Sequence, residues 1–248
     1  MEIVRRIENW PTAFGLRLFA GSTSELRLLH FRSGLNVVCR SGTRDWDVIH
    51  ELLFAGGYAS AFSYLKTEPG ELRVLDLGGN LGIFSLLAAG TNPAVQVTAF
   101  EPGPPNARLF GMNQLANPVL GERITLRQQA VAGTARQDRW FFDGDNPGGS
   151  SLYGTTGIGI DVQIAAFKDV VLEWPDPVAL VKIDIEGAEY DLLEHTGAEV
   201  WEKVRAISLE LHEDPRGILT QAQFIERLRG FGYAVQAESV CSYFLRRE

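Results

Sequence analysis

Acidic residues stand at the ends of three segments that otherwise read as apolar strands: Asp76 in "VLDLGGN", Glu101 in "VTAFE", and Asp184 with Glu186 in "LVKIDIEG". A fourth such segment, "ISLELHE", closes on Glu210 and His212. Open α/β sheets bind ligands outside the carboxyl ends of their strands, so a ligand would meet the chain at these positions. Asp76 precedes a glycine-rich turn, Gly78-Gly79-Asn80-Leu81-Gly82, whose spacing differs from the G-x-G-x-x-G of dinucleotide-binding turns. A fixed carboxylate at the mouth of that turn opposes a pyrophosphate and favours a ligand with an ammonium group, such as the amino-acid end of S-adenosylmethionine. Glu101, 25 positions further on, is placed to accept both hydroxyls of a ribose. NAD also has a ribose and stays an alternative, with Asp76 counting against it.

Methyl transfer from a sulfonium is an in-line displacement, so the protein must hold the acceptor atom on the far side of the methyl group and exclude water. Such positioning supplies about 7–11 kcal/mol of the barrier. A hydroxyl acceptor also gains from a base, by a factor of roughly 100 to 10,000. His212 is the best placed of the four histidines for that role, because an unperturbed imidazole titrates near neutrality; a hydrogen-bonded structural role is its plainer alternative. His30, His50 and His195 fall on strand or helix exteriors. The expected catalytic group is therefore His212, Asp184 and Glu210, with Asp184 and Glu186 also touching the cofactor. The same Asp184, Glu210 and His212 could instead hold a divalent ion such as magnesium, lowering the pKa of the acceptor hydroxyl. Lys182 shares a strand face with Asp184 and Glu186. It either pairs with a neighbouring acid or serves the site, and Glu189 either caps the helix after Gly187 or serves the site.

A sheet must position these residues. From residue 71 strands and helices alternate: "LRVLDL", a helix from Asn80 to about Ala89, "VQVTAFE", a proline-led helix in "PGPPNARLFGMNQL", then "ITLRQQAV" as a third strand with "RQDRWFFDG" as its hairpin partner. A Gly/Ser/Asn-rich stretch, 143–157, follows, and a loop of that length inside a domain is usually a lid or disordered. "VALVKIDIE", the helix "AEYDLLEH" and "RAISLELH" come next. Thr220 and Gln223 make a capping-box pattern before a helix with Phe224, Ile225, Leu228 and Phe231 on its buried side, and "YAVQA" and "SYFLRR" complete the sheet. Ahead of this core, "LRLLHF" and "LNVVCR" read as a hairpin, and "DWDVIHELLFAGG" as one helix stopped by Gly56 and Gly57. The expected organisation is a single structural domain, with residues 1–70 as an elaboration packed on a core of 71–248.

The totals narrow the classes. The 248 residues are 45% hydrophobic and 22% charged, with no apolar run long enough to span a bilayer. The N-terminal "MEIVRRIENWPTAF" is unlike a signal peptide, so the expected location is cytoplasmic. Cys39 and Cys241 form neither a disulfide framework nor a zinc spacing and read as buried small hydrophobes. A net charge of −8 without a basic stripe disfavours nucleic acid.

"LVKIDIEGAEYDLLE", residues 180–194, closely resembles the hallmark segment of the FkbM family of S-adenosylmethionine-dependent methyltransferases. The stretches "SGTRDWDVIHELLFAGGY", "NPGGSSL" and "ISLELHE" resemble it too, over roughly residues 40–235. The resemblance implies a Rossmann-like α/β fold with a mostly parallel seven-stranded sheet, and O-methylation of a natural product or sugar. It implies that Asp76, Gly78, Asn80 and Gly82 hold the methionine portion and Glu101 the ribose. By the same resemblance Ala130 and Val131 contact adenine, and Ser150 and Ser151 close over the cofactor. The chain departs from the family in having "VQIAAFKDVV" where a regular "LDD" segment is usual.

The expected partner is a small-molecule acceptor, with no nucleic acid and no membrane; oligomeric state is open, a homodimer being the commonest outcome. A DNA amine methyltransferase would carry an Asn/Asp-Pro-Pro-aromatic turn where this chain has Asp184-Ile185-Glu186-Gly187. A carboxyl acceptor, an NAD-dependent oxidoreductase and a non-catalytic binding protein on the same fold remain the alternatives.

Overall fold

Aliphatic runs buried on both faces form parallel strands, and such runs make the centre of this sheet. The computed structural model describes residues 2–18, 25–142, 152–153 and 158–247. It begins with α1 (Glu2–Arg6), α2 (Trp10–Leu18), the hairpin β1 (Leu26–His30) and β2 (Asn36–Arg40), then α3 (Asp45–His50), a π-helical turn (Glu51–Ala55) and α4 (Ala59–Thr67). The alternating part follows as β3 (Leu72–Leu77), α5 (Ile83–Thr91), β4 (Val95–Phe100), α6 (Pro104–Ala116), α7 (Pro118–Gly121) and β5 (Ile124–Arg127). Next come β6 (Ala130–Ala132), β7 (Arg136–Phe142), β8 (Ile158–Ala166), α8 (Phe167–Leu172), β9 (Val178–Ile183), α9 (Glu189–His195), α10 (Ala198–Trp201) and β10 (Val204–Glu210). The last are α11 (Gln221–Gly230), β11 (Tyr233–Ala237) and β12 (Ser242–Arg247).

Seven of these strands pair in the order β11-β12-β10-β9-β3-β4-β5, with β12 antiparallel to both its neighbours and the other pairings parallel. The chain runs outward through β3, β4 and β5, then returns to β9 beside β3. The order therefore reverses between β3 and β9, which opens a crevice at their carboxyl ends. Alternation along β3 sends Leu72 and Val74 to one packed face with Phe84, Leu86 and Phe110, and Leu75 and Leu77 to the other with Tyr190 and Trp201. Full burial of such large side chains contributes about 1.5–3 kcal/mol each, so both faces fix the strand that carries Asp76.

The N-terminal elements attach through buried asparagines. Val38 N–H donates to Asn113 Oδ1 (2.6 Å) and Asn36 N–H to Asn117 Oδ1 (2.8 Å), tying β2 to the end of α6. Near the other end, Thr220 and Gln223 form the expected reciprocal cap of α11, worth about 0.5–2 kcal/mol.

Two expectations are corrected. The helix across 45–57 is interrupted: α3 stops at His50, the next turn widens to a π-helix, and Gly56 ends it at φ +81°. The strand read across "ITLRQQAV" breaks after Arg127, and β6 leaves the main sheet to pair with β8 in a second sheet ordered β6-β8-β7. "RQDRWFFDG" is accordingly the antiparallel partner of β8. Cys39 is buried and Cys241 half-buried. Among the described residues no helix is long and apolar enough to cross a membrane.

Candidate active site

The turn after β3 is shaped by close approach. Gly78 has φ +82°, and a Cβ there would lie 1.9 Å from the Asp184 carbonyl oxygen, so only glycine lets the β3 and β9 ends touch. Gly82, at φ +80°, opens α5 against the Phe110 ring, which a Cβ would meet at 2.8 Å. Asn80 takes a left-handed backbone (φ 47°), and its N–H points to Glu101 Oε2 at 2.8 Å.

A cavity lies over this turn. Gly78, Asn80, Glu101, Ala130, Val131, Trp140, Asp184 and Glu186 are among its lining residues, and no lysine or arginine lines it among the described residues. Glu101 is its best-defined anchor. Its second oxygen accepts from Gly103 N–H (2.8 Å), which leaves a spare lone pair on each oxygen. Burial pushes the Glu101 carboxyl up to about 7, against the opposing pull of the Gly103 and Asn80 N–H groups. Trp140 packs so close over Gly103 that a Cβ there would lie 2.7 Å from its ring. Phe100, Ala130, Val131, Trp140 and Leu152 thus give the Glu101 end apolar walls.

Asp76 corrects the reading of the turn. Its carboxylate does not face the cavity; it is fully buried on the α5 side, where Ser85 Oγ donates to Oδ2 at 2.6 Å and Lys182 Nζ lies 3.6 Å from Oδ1. Register explains the burial, because Asp76 stands opposite Lys182 in the β3–β9 pairing, on the face that α5 covers. Lys182 also reaches Asp184 Oδ2 (3.1 Å) and donates to the Gly78 carbonyl (2.6 Å). Burial lowers its pKa, but Asp184 and Asp76 outweigh it and hold the ammonium above its ordinary value. Lys182 therefore locks the glycine turn to the end of β9.

A second group of acids occupies the edge formed by β9 and β10. Tyr58 points its hydroxyl at Asp184 Oδ2 (3.5 Å) and Glu210 Oε2 (3.4 Å), joining the two carboxylates. Burial, then the charges of Asp184 and Glu51, push Glu210 up to about 7. Glu186, at φ 55°, rises to about 7 through burial despite the nearby His212.

His212 is also corrected. Nδ1 lies 3.0 Å from Glu189 Oε1 and Nε2 lies 3.4 Å from Glu186 Oε2, so both ring nitrogens face carboxylates. Burial alone would lower its pKa, but the hydrogen bond and charge of Glu189, with Glu186 and Asp184, raise it to about 10. The two carboxylates favour the protonated ring, the opposite of the neutral base expected of it. Glu189 both caps and pairs: it accepts from Ile185 and Gly187 N–H while holding His212.

The structure thus brings Gly78, Asn80, Glu101, Ala130, Val131, Asp184 and Glu186 to one cavity, with Glu210 and His212 beside it and Asp76 and Gly82 beneath. Ser150 and Ser151 lie outside the described residues. Sequence reasoning missed Trp140, an aromatic on β7 whose strand pairs with β8 and whose ring packs over Gly103. It gave Tyr58 no role of its own; the Gly56-Gly57 pair before it was the available sign of an unusual backbone.

A family model described as Methyltransferase FkbM domain matches residues 76–235. The chain is 28% identical over 193 residues to Methyltransferase 1 of Beauveria bassiana, covering 68% of this chain and 75% of that protein. It is 28% identical over 203 residues to the 31-O-demethyl-FK506 methyltransferase FkbM of Streptomyces tacrolimicus, covering 70% and 76%. A crystal structure of a SAM-dependent methyltransferase from Agrobacterium tumefaciens aligns at 12% identity over 92% of this chain and 72% of its own, with a TM-score of 0.51, a likeness of fold.

Proposed function

The chain belongs to the FkbM methyltransferase family, and from that premise we propose that it transfers the methyl group of S-adenosylmethionine to a hydroxyl oxygen of a small-molecule acceptor. The observation that carries this reading is a cavity lined by Glu101 and by the Asp184–Glu186 pair, with no lysine or arginine among its described lining residues. That donor set suits a ribose and an ammonium, and opposes a pyrophosphate. The name of the Streptomyces relative, which specifies an oxygen-linked methyl, supports an oxygen acceptor.

When bound, S-adenosylmethionine supplies a methyl group on a positively charged sulfur. Glu101 would receive the ribose hydroxyls on the lone pairs that Asn80 and Gly103 leave free. Ala130, Val131 and Trp140 would give the flat base an apolar wall, and Asp184 and Glu186, which line the same cavity, would meet the ammonium. Glu210 takes the proton of the acceptor hydroxyl. Its pKa of about 7 lies near a working pH, where a base is most effective. His212, held positive, positions Glu186. Calorimetry with S-adenosylhomocysteine and with NAD tests the cofactor reading: binding of the first and silence with the second is expected, and the reverse result overturns it.

One observation favours a second reading of the edge. Ligand atoms of Asp184, Glu210 and His212 lie within 4.8 Å of one another, and the other ring nitrogen of His212 is backed by the buried Glu189, the usual support of a metal-bound imidazole. These three would hold a divalent ion, which would lower the pKa of the acceptor hydroxyl. Turnover lost in chelator and restored by magnesium supports that reading; full turnover in chelator rejects it.

A further inference from the structure

Behind Tyr58, away from the cofactor cavity, lies a second chamber of about 510 Å³. It is formed where the π-helical turn and the residues after it face the carboxyl ends of β10 and β11 and the start of β12. Glu51, Tyr58, Ser208, Gln236, Glu238 and Ser242 are among its lining residues. The volume falls within the range of small-molecule sites, about 300–1,000 Å³.

Position and chemistry argue together. Tyr58 is common to the chamber and to the acid edge: it lines the former, and its hydroxyl meets Asp184 and Glu210. The chamber therefore adjoins, with Tyr58 between them, the carboxylates that serve the acceptor. Ser208, Gln236 and Ser242 offer neutral hydrogen-bonding groups. The charged side chains lining it are Glu51 and Glu238, and no lysine, arginine or histidine lines it among the described residues. Hydroxyl and ammonium donors would find acceptors there, whereas a carboxylate or phosphate would face two like charges without a counter-ion.

We propose that this chamber holds the body of the methyl acceptor, and that the acceptor is a polyhydroxylated compound, neutral or ammonium-bearing, with no anionic group in the chamber. The inference rests on the reading that the cofactor fills the first cavity and that transfer occurs at the Asp184–Glu210 edge. It also disfavours a carboxyl acceptor.

The test titrates the S-adenosylhomocysteine-saturated protein with glucose, glucosamine and glucuronate, which share a ring and differ in charge, while backbone amide shifts are followed. Glucose and glucosamine should perturb Ser208, Gln236 and Ser242, and glucuronate should do so at least about tenfold more weakly. Silence at those residues with all three sugars, or a glucuronate response equal to that of glucosamine, overturns the proposal. Glu238→Lys, on an exposed turn, should reverse the order of preference; an unchanged order also overturns it. S-adenosylhomocysteine itself should shift Gly78, Asn80 and Gly103. Silence there defeats the cofactor reading separately, since the two sets of amides do not overlap.

Discussion

Glu101 and the β9–β10 edge both place carboxylates at strand ends, but they hold charge in different ways. Glu101 stands in an apolar setting, and its immediate partners are two backbone N–H groups that have no other position to take. At the edge, Asp184, Glu186 and Glu210 are compensated by side chains: Lys182, His212 and Tyr58. Backbone donors make a rigid receptor for one ligand geometry. Side-chain partners that titrate make a place where protons, or a metal ion, can be exchanged. The contrast assigns recognition to the first region and chemistry to the second.

Paired substitutions break this contrast most sharply. Glu210→Gln should reduce transfer to any acceptor the enzyme labels by roughly 100- to 10,000-fold, with S-adenosylhomocysteine affinity nearly unchanged. Glu101→Ala should do the reverse, weakening binding by about 1.5–3 kcal/mol, the worth of hydrogen bonds to a charged group. Single-turnover transfer and calorimetry on both variants decide the matter, and equal effects on both quantities in either variant would erase the division.

Lys182 is the next largest lever, because among the described residues it is the cation beside the buried Asp76 Oδ1, which has no hydrogen-bond donor. Lys182→Met leaves that carboxylate uncompensated and should destabilise the fold by about 3–5 kcal/mol in urea unfolding. Adding Asp76→Asn should recover much of the loss. A single variant within about 1 kcal/mol of the native protein would mean that the lysine compensates nothing.

Stability should also depend on pH in one direction. Glu101, Glu186 and Glu210 have folded values of about 7 against 4.5, so the fold takes up protons across that interval and loses stability as pH rises through it. His212, at about 10 against 6.5, contributes stability that is complete below 6.5 and is lost as pH rises through 10. All four signs agree. Glu101 alone accounts for on the order of 3 kcal/mol. Denaturation of the ligand-free protein at pH 5, 7 and 9 should give steadily falling unfolding free energies; a rise between pH 5 and 9 contradicts the burial of these groups.

Much of the site was legible because its chemistry is local. A carboxylate at a strand end, a glycine turn and the "KIDIEG" segment announce a ligand edge wherever the strands pack. The direction of Asp76 was not legible, since it depends on Lys182, a residue on a strand more than a hundred positions away, standing opposite it in register. The proton on His212 depends likewise on Glu186 and Glu189, which reach it from the loop after β9 and from α9. The break between β5 and β6 had no marker of its own either, because Ala130–Ala132 are drawn away by pairing with β8, which lies beyond the 143–157 stretch.

The smallest expected effect concerns the residue that the β9–β10 edge and the second chamber share. Tyr58 follows Gly56 and Gly57 and itself takes φ 64°, an uncommon backbone for a residue with a large side chain. Its ring is braced edge-on against Phe84 at 5.2 Å, so Tyr58→Phe should keep the packing and remove only the hydroxyl. The one proton of this hydroxyl is shared between acceptors 3.4 and 3.5 Å away, and the contact is therefore worth about 1 kcal/mol, or roughly fivefold in transfer rate. The hydroxyl favours the ionised form of Glu210, so its removal should move the acidic limb of the transfer profile to higher pH while leaving S-adenosylhomocysteine affinity unchanged. A fivefold loss without that shift would make Tyr58 a wall of the chamber and no more; a shift without loss of affinity ties it to the proton that leaves the acceptor.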